Sequence, residues 1–296
     1  MEGNTLVFLM ILFFEYGRLG NQLFQYMGLK QCFPGHRLIL IGCDDLYAVI
    51  ETENVTCLKN INKNLQRRLI IRLLVRFMSI LSRLRFVGLI SEVRTESSYA
   101  VNARRGLLWG IYLLQPSYFQ HNSVTKRFED TITIRQQYIH LAKSWLNANS
   151  VQADRNNLVF VHIRRGDYLS WPNHTSPAVL SLSWYQRSMA SIKASVSNPL
   201  FIVLTDDLYY AKDVFCGQSD VLISENNHLV DFALMSLCHH GILSASSFAW
   251  WGAWFSRQSN AENDLGIYLA PNYWTCHRQK QWSPEGFVTD WITYIE

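Results

Sequence analysis

The sequence predicts an α/β fold built on mainly parallel sheets. Three times, a short apolar run is followed by a polar turn and a helix-like segment: "TLVFLMILFF", "EYGRLGN", "QLFQYMGLKQC"; "PLFIVL", "TDD", "LYYAKDVF"; and "HHGILSA", "SS", "FAWWGAWF". A fourth apolar run, "NLVFVHIRR", leads into Gly166-Asp167. Alternating strands and helices are typical of parallel sheets. Such sheets bind ligands beyond the carboxyl ends of their strands, where all four polar turns are expected.

The apolar run Thr5–Phe14 is expected to form the buried first strand. It is about half as long as a bilayer-spanning helix must be. It also lacks the basic start and the small-residue cleavage site of a signal peptide. The tail of a signal anchor is the alternative interpretation.

The loop after this run, "GRLGNQ", supplies polar groups at the end of a strand. Gly17 and Gly20 allow the backbone to approach a ligand closely, and Arg18, Asn21 and Gln22 add side-chain donors and acceptors. The loop matches neither GxGxxG nor GxxxxGK[ST], so neither dinucleotide nor ATP binding is predicted.

Residues 63–85 are predicted to form an amphipathic helix. Arg68, Arg72 and Arg76 recur every four positions. The apolar residues at helical spacing include Leu65, Leu69, Leu73 and Phe77. Two interpretations stay open: a surface helix with a solvated arginine stripe, or a helix that lies against an anionic membrane surface.

The charge distribution excludes a general nucleic-acid-binding surface. Seven of the 27 Lys and Arg residues lie in 63–85, so the other 20 face 23 Asp and Glu residues elsewhere in the chain. The length of 296 residues suits one large or two ordinary domains. The polar stretch 147–157 loses periodicity and predicts a boundary between domains 1–150 and 151–296.

The segment "VHIRRGDY" at 161–168 carries two adjacent arginines at the end of an apparently buried strand. Because side chains alternate along a strand, His162 and Arg164 are expected on one face and Arg165 on the other. The opposite apolar face would contain Val159, Val161 and Ile163. Buried arginines need an anionic partner, and the guanidinium fork suits phosphate oxygens. A contact between Arg165 and Asp167 is the structural alternative.

Two polar turns have both a structural and a functional interpretation. Ser246-Ser247 would cap a helix, and a helix N-terminus with flanking hydroxyls is also a phosphate site. Thr205-Asp206-Asp207 is typical of a capped helix start. The chain has no Asp-x-Asp pair, which metal-dependent sugar transferases use to hold a nucleotide diphosphate, so no metal is expected.

In chain order, "GRLGNQLFQY", "HIRRGDY", "TDD" and "SSFAWWGAW" resemble the inverting α-1,2-fucosyltransferases, which move fucose from GDP-fucose to galactosides. The match runs from residue 17 to about residue 254. The resemblance implies a GT-B-like fold, with two Rossmann-type domains whose mainly parallel sheets face each other across a cleft. It assigns the acceptor to domain 1–150 and GDP-fucose to domain 151–296, and it implies no metal or other cofactor.

The resemblance also implies roles for individual residues. Arg164 would contact the β-phosphate, His162 would lie near the nucleoside, and Asp231 would recognise guanine. The full set of implied donor-binding residues is His162, Arg164, Arg165, Asp231, Ser246, Ser247, Phe248, Gly17, Arg18 and Gln22.

The implied catalytic residues are Arg164, Asp167 and Asn21. Negative charge builds on the departing GDP in an oxocarbenium-like transition state, and Arg164 with helix N–H groups would stabilise it. Asn21 would approach donor and acceptor from the opposite domain. Asp167 is a candidate base, or it holds Arg165 or Arg164 in place.

The expected partners are GDP-fucose and a galactose-terminated glycan, with no nucleic acid. Membrane association is expected through the N-terminal run or through 63–85. The expected compartment is the Golgi lumen, with the cytoplasm as the alternative. Two other functions stay open: fucosyl transfer to another acceptor such as a protein hydroxyl, and non-catalytic binding of a GDP-sugar or a glycan.

Overall fold

The computed structural model describes residues 10–58, 65–95, 98–108, 110–128, 132–149, 151, 155–260, 266–275, 277 and 286–296. By its internal contacts the chain divides into two compact units, Met1–Thr133 and Ile134–Glu296. Each unit contains a six-stranded, mainly parallel sheet. The predicted α/β fold is therefore confirmed.

The first unit begins with β1 (Met10–Phe14), whose alternating pattern buries Ile11 and Phe13. The strand interpretation of the Thr5–Phe14 run is thus confirmed for its described part, and residues 5–9 lie outside the described residues. The next elements are α1 (Leu19–Cys32), β2 (Arg37–Ile41), α2 (Asp44–Val49), β3 (Val55–Leu58), α3 (Leu65–Arg83), β4 (Gly88–Thr95), β5 (Ser98–Arg104), β6 (Ile111–Leu114) and α4 (Asn122–Thr125). The sheet order is β3-β2-β1-β6-β4-β5, and β4 with β5 forms an antiparallel hairpin at the edge.

The second unit has a fully parallel sheet in the order β12-β11-β10-β7-β8-β9. Its elements are α5 (Gln136–Ala148), β7 (Leu158–Ile163), α6 (Leu182–Ser195), β8 (Leu200–Thr205), α7 (Leu208–Phe215), β9 (Val221–Ile223), α8 (His228–Leu237), β10 (His240–Ile242), α9 (Ser247–Gln258), β11 (Tyr268–Pro271) and β12 (Thr293–Ile295). All six residues of β7 are buried, as a central parallel strand requires.

The strand order creates a topological switch point in each sheet. In the second unit the chain moves from β7 to β8 and β9 on one side, and then to β10 on the other side of β7. The corresponding point in the first unit lies between β1 and β6. Open α/β sheets bind ligands at the carboxyl ends of the strands at such points.

The two faces of β7 follow the predicted alternation. Its residues Val159, Val161 and Ile163 pack into a core with side chains from α6 and α7. On the opposite face, His162 contacts the ring of Phe248 in α9. The helices therefore cover both faces of the sheet, and the predicted direction of His162 is confirmed.

The division between the units differs from the expected boundary near residue 150. It falls between Thr133 and Ile134 because α5 packs against α8 of the second unit. The polar stretch 147–157 therefore begins at the end of a helix that belongs to the second unit.

Helix α3 confirms the predicted helix in 63–85, within the described residues. Its residues Ile71, Val75 and Met78 are partly buried, and the helix contacts β6. Of the apolar residues expected at helical spacing, Leu69, Leu73 and Phe77 are more than half exposed. The helix therefore leaves a large apolar surface outside the core of its own unit. Over the part of the chain that the structure describes, no helix is long and apolar enough to cross a membrane.

Candidate active site

Three polar turns of the second unit meet at the carboxyl edge of its sheet. In the parallel register, Ile163 of β7 lies opposite Thr205 of β8, and Val161 lies opposite Ile242 of β10. The turns that follow these strands therefore lie side by side. This brings the predicted "HIRRGDY", "TDD" and "SS" segments together at the switch point.

His162 is a buried, neutral member of this group. Its Nδ1 lies 2.7 Å from the Ser244 hydroxyl oxygen, and its ring centroid lies 5.5 Å from that of Phe248. Burial, and then the positive charge of Arg164, lowers the pKa of His162 to about 4. The imidazole is therefore uncharged at neutral pH, which suits a hydrogen-bonding or packing role.

Arg164 is held between two carboxylates. Its guanidinium nitrogens lie 2.6 Å from Oδ1 of Asp167 and 2.7 Å from Oδ2 of Asp206. The Arg164 side chain is 15% exposed, whereas that of Asp167 is 50% exposed. Asp167 thus holds Arg164, one of the two roles that the sequence left open for it.

Arg165 points away from Arg164, as strand alternation predicted. Its Nε donates to Oδ2 of Asp207 at 2.9 Å, and its guanidinium carbon lies 3.6 Å from the centroid of the Tyr210 ring. The acid that pairs with Arg165 is therefore Asp207, whereas the structural alternative in the sequence had suggested Asp167. Arg165 instead pairs with Asp207 and stacks on α7, because the carboxyl end of β8 supplies an acid on that side.

Asp207 also confirms the structural interpretation of the "TDD" turn. It is the N-cap of α7, and its side chain accepts the backbone N–H of Tyr210 at 3.1 Å. This hydrogen bond, together with that from Arg165, lowers the pKa of the Asp207 carboxyl.

Asp206 is the site residue that the sequence interpretation missed. Its Oδ1 accepts the backbone N–H groups of Arg165 at 2.8 Å and Gly166 at 3.2 Å, while Oδ2 pairs with Arg164. A Cβ atom on Gly166 would lie 2.6 Å from Oδ2 of Asp206, so only glycine fits here without displacing the carboxylate. The available signal was the expected pairing of the two strands, which puts an acid after one strand beside an arginine after the other.

Tyr168 joins the arginine turn to the start of α9. Its hydroxyl donates to the carbonyl oxygen of Ala245 at 2.7 Å, and its ring centroid lies 5.6 Å from the guanidinium carbon of Arg164. Ser246 caps α9 by accepting the backbone N–H of Phe248 at 3.3 Å, and the helix begins at Ser247. Arg164 and a helix N-terminus are thereby parts of one connected structure.

Asp231 lies in the first turn of α8 and is 7% exposed. Its Oδ1 accepts the Ser224 hydroxyl at 2.6 Å. Burial raises the pKa of Asp231 to about 7, and the hydrogen bond from Ser224 only partly offsets this. Its helix packs on α9, where Phe232 contacts Phe248 at a ring distance of 5.2 Å.

The predicted residues of "GRLGNQ" form a cluster in the first unit. Gly17 has φ of +80°, and a Cβ there would lie 2.6 Å from Nδ2 of Asn21, so both the backbone and the space favour glycine. Arg18 is the N-cap residue of α1. Gln22 is buried, and its Nε2 donates to the Gly17 carbonyl at 3.1 Å. This side chain holds the turn closed.

The sequence interpretation missed two partners of this cluster, which follow β6. Gln120 donates through Nε2 to Oδ1 of Asn21 at 3.1 Å. Tyr118 lies 5.2 Å from Tyr16 between ring centroids. Burial, and then the hydrogen bond with Tyr16, raises the pKa of Tyr118 to about 12. The adjacency of β1 and β6, which short-range patterns do not reveal, brings these groups together.

No group of three or more His, Cys, Asp or Glu residues suited to a metal ion occurs in the described part of the chain. The residues at the second unit's switch point instead combine two arginines, three carboxylates, a neutral histidine and a helix start. Among them, Arg164 and the N–H groups at the start of α9 are the groups suited to holding an anion.

Comparison with known proteins relates the chain to sugar transferases. The family described as Glycosyl transferase family 11 matches residues 109–296. An alpha-1,2-colitosyltransferase of Escherichia coli is 38% identical over 126 residues, 40% of this chain and 41% of that protein. Galactoside alpha-(1,2)-fucosyltransferase 2 of Rattus norvegicus is 29% identical over 146 residues, 46% of this chain and 39% of that protein. The chain therefore spans less than half the length of these two relatives.

A solved structure supports the fold. The glycosyl transferase family 9 protein from Veillonella parvula has a TM-score of 0.54 at 9% identity, and the alignment covers 89% of this chain and 81% of that one.

Proposed function

Because the chain belongs to glycosyl transferase family 11, we propose that it is an inverting, metal-independent enzyme that transfers L-fucose from GDP-fucose to the 2-hydroxyl of a galactoside. The family match contains every residue of the second unit's site. The name of the rat relative specifies an α-(1,2) linkage to a galactoside, and the name of the bacterial relative specifies an α-1,2 linkage.

The observation that carries the proposal is the link between Arg164 and the start of α9. Tyr168 lies against Arg164 and donates to Ala245, directly before the cap residue Ser246. A helix N-terminus presents N–H groups and a positive dipole end to an anion. With the guanidinium beside it, this end of the sheet suits the diphosphate of GDP.

The diphosphate must compete with Asp167 for Arg164. Asp206 is fixed by two backbone N–H groups and an ion pair, whereas Asp167, which also pairs with Arg164, is half exposed. In our proposal, Asp167 therefore turns towards solvent when phosphate oxygens take its place. Asp206 stays in position and keeps Arg164 aimed at the donor.

The proposed reaction needs stabilisation of the leaving group more than it needs new covalent chemistry. Negative charge grows on the departing GDP as the anomeric carbon gains oxocarbenium character. Arg164 and the N–H groups of α9 supply fixed positive charge where that negative charge develops. The acceptor hydroxyl attacks the opposite face of the sugar and inverts the anomeric centre.

The nucleoside is assigned to His162 and Asp231. A neutral imidazole can hydrogen-bond a ribose or base without repelling other groups. The carboxylate form of Asp231 accepts two N–H donors, which matches the donor edge of guanine. Asn21 is assigned to the hydroxyls of the galactoside acceptor, because an amide both donates and accepts hydrogen bonds.

The test is a transfer assay with GDP-fucose and a panel of acceptors, including lactose, N-acetyllactosamine and a hydroxyl-bearing peptide, with the product linkage read by NMR. We expect a fucosyl α-1,2-galactoside, formed equally well in excess EDTA. A strict Mn²⁺ requirement would contradict the metal-free reaction. Tight GDP binding without transfer to any acceptor would favour a non-catalytic GDP-sugar-binding protein, and a fucosylated peptide would favour the protein-hydroxyl alternative.

A second candidate donor follows from the bacterial relative, whose name specifies colitosyl transfer and which has 38% identity over its matched segment. The same acceptor panel with nucleotide-activated colitose separates the two. Faster transfer of colitose than of fucose would identify nucleotide-activated colitose as the donor and leave the proposed α-1,2 linkage unchanged.

A further inference from the structure

Helix α3 exposes a continuous apolar stripe. At about 100° per residue, positions three, four and seven apart lie on the same side of a helix. The stripe, called here the α3 face, consists of Leu69, Ile70, Leu73, Phe77, Ile80 and Leu84. Each of these side chains is between 52% and 61% exposed. Isolated exposed apolar residues need no explanation, but a contiguous patch marks an interaction surface.

The patch continues past the end of the helix. The backbone N–H groups of Leu107 and Leu108 donate to the carbonyl oxygens of Arg85 and Phe86, both at 2.7 Å. Leu107 is 70% exposed and Leu108 48% exposed. These contacts bring two further apolar side chains beside the C-terminal end of the α3 face.

A row of arginines runs along one edge of the α3 face. Arg72, Arg76 and Arg83 are all exposed and lie on one side of the helix, next to the apolar stripe. The sequence of α3 contains no acidic residue. Two copies of this helix would bring arginine rows together, which disfavours self-association through this face.

We propose that the α3 face docks the protein on an anionic lipid membrane. A helix with an apolar stripe and a basic edge lies in the membrane interface, with the apolar side chains in the acyl boundary and the basic residues at the headgroups. The arginines make α3 unsuited to crossing a bilayer. When the helix lies along the bilayer surface, the apolar stripe contacts the acyl chains and the arginine row contacts the headgroups. This inference does not depend on the proposed transferase activity.

The test is sedimentation of the full chain with vesicles of phosphatidylcholine, with and without phosphatidylserine. We expect binding to the anionic vesicles that weakens as salt rises. Leu73→Glu with Phe77→Glu should reduce binding to background, because two charges enter the apolar stripe. Arg72→Gln with Arg76→Gln should weaken binding by roughly 25-fold.

Matched controls come from α5, where Leu141 and Lys143 are also exposed. Leu141→Glu and Lys143→Gln should bind within twofold of the unmodified chain. An unchanged melting temperature in the α3 variants would show that the loss is not unfolding. Equal binding to both vesicle types, or α3 variants that match the controls, would overturn the proposal. So would a concentration-dependent dimer, seen by light scattering without vesicle binding, that Leu73→Glu with Phe77→Glu converts to a monomer.

Discussion

The two sheets share one design at their switch points but carry different chemistry there. At β7 and β10 the polar groups are mainly charged, with Arg164 and Arg165 facing three carboxylates. At β1 and β6 they include two neutral amides, Asn21 and Gln120, and a pair of tyrosines. The same topology thus carries two different sets of polar groups, because the turns after the strands, and not the strands, supply them.

In the proposed function, the two switch points bind different substrates. Guanidinium groups and a helix N-terminus favour an anion such as a diphosphate. Amides that donate and accept, beside aromatic rings, suit the hydroxyls and apolar faces of a neutral sugar. If the comparison is correct, substitutions in the second unit should change nucleotide binding, and substitutions in the first should change acceptor kinetics.

The largest expected effect follows from Arg164→Ala. We expect GDP affinity to fall by on the order of 100-fold or more, because a partly buried charged partner of the diphosphate is lost. Guanosine affinity should change little, since guanosine carries no phosphate. Isothermal titration calorimetry with both ligands measures the difference.

Arg165→Ala is the matched control, because Arg165 pairs with Asp207 and stacks on Tyr210. It should lower the melting temperature while leaving the GDP affinity of the folded protein within a few fold of the parent. Equal losses for GDP and guanosine in Arg164→Ala would remove Arg164 from the phosphate site.

A second contrast concerns pH, since the second unit has the buried carboxyl of Asp231, whereas the amides of Asn21 and Gln120 in the first unit do not titrate. The pKa of Asp231 is raised to about 7, above its unfolded value near 3.9. Between about pH 4 and 7 the folded state therefore binds more protons than the unfolded state, so the free energy of unfolding falls as pH rises through this window. Between pH 4 and 7, the free energy of unfolding should therefore fall less in Asp231→Asn than in the parent. The difference between the two falls should be up to about 4 kcal/mol.

Denaturant titrations between pH 4 and 8 measure this difference. His162 contributes the opposite slope, because its lowered pKa makes its contribution to stability vanish as pH falls towards about 4. That contribution is common to parent and variant, and it cancels when the two curves are subtracted. Parallel curves for both proteins would show that Asp231 is ionised in the fold at neutral pH.

The sequence was most informative where a pattern is local. A period of two separated the directions of Arg164 and Arg165, and the turns Ser246-Ser247 and Thr205-Asp206-Asp207 predicted capped helix starts. The sequence did not reveal Asp206 as a site residue, since its role depends on β8 lying beside β7 in register. Nor did it reveal which apolar side chains of α3 are partly buried and which are exposed, because that depends on how the helix packs on its unit.

The two carboxylates that hold Arg164 should have opposite effects on nucleotide binding. Asp206→Asn removes the ion pair that fixes the arginine and should weaken GDP binding by about tenfold. Asp167→Asn removes a competing negative charge and should strengthen GDP binding by several fold. Calorimetry with GDP at constant ionic strength measures both. Weaker binding in both variants would show that Asp167 stays on Arg164 in the complex, and loss of transfer with stronger binding in Asp167→Asn would favour a role for Asp167 as the base.

The smallest effects are expected in the first unit, where single neutral hydrogen bonds are lost. Asn21→Ala and Gln120→Ala each remove one half of the amide pair, and we expect the KM for the galactoside acceptor to rise by about three- to tenfold. The Kd of GDP should stay within twofold, because GDP lacks the sugar that these amides are proposed to bind. Gln31→Ala, at the other end of α1, is the control and should leave both values unchanged. A loss of GDP affinity in Asn21→Ala would instead assign the first unit's amides to the nucleotide. It would contradict the proposal that the two switch points bind different substrates.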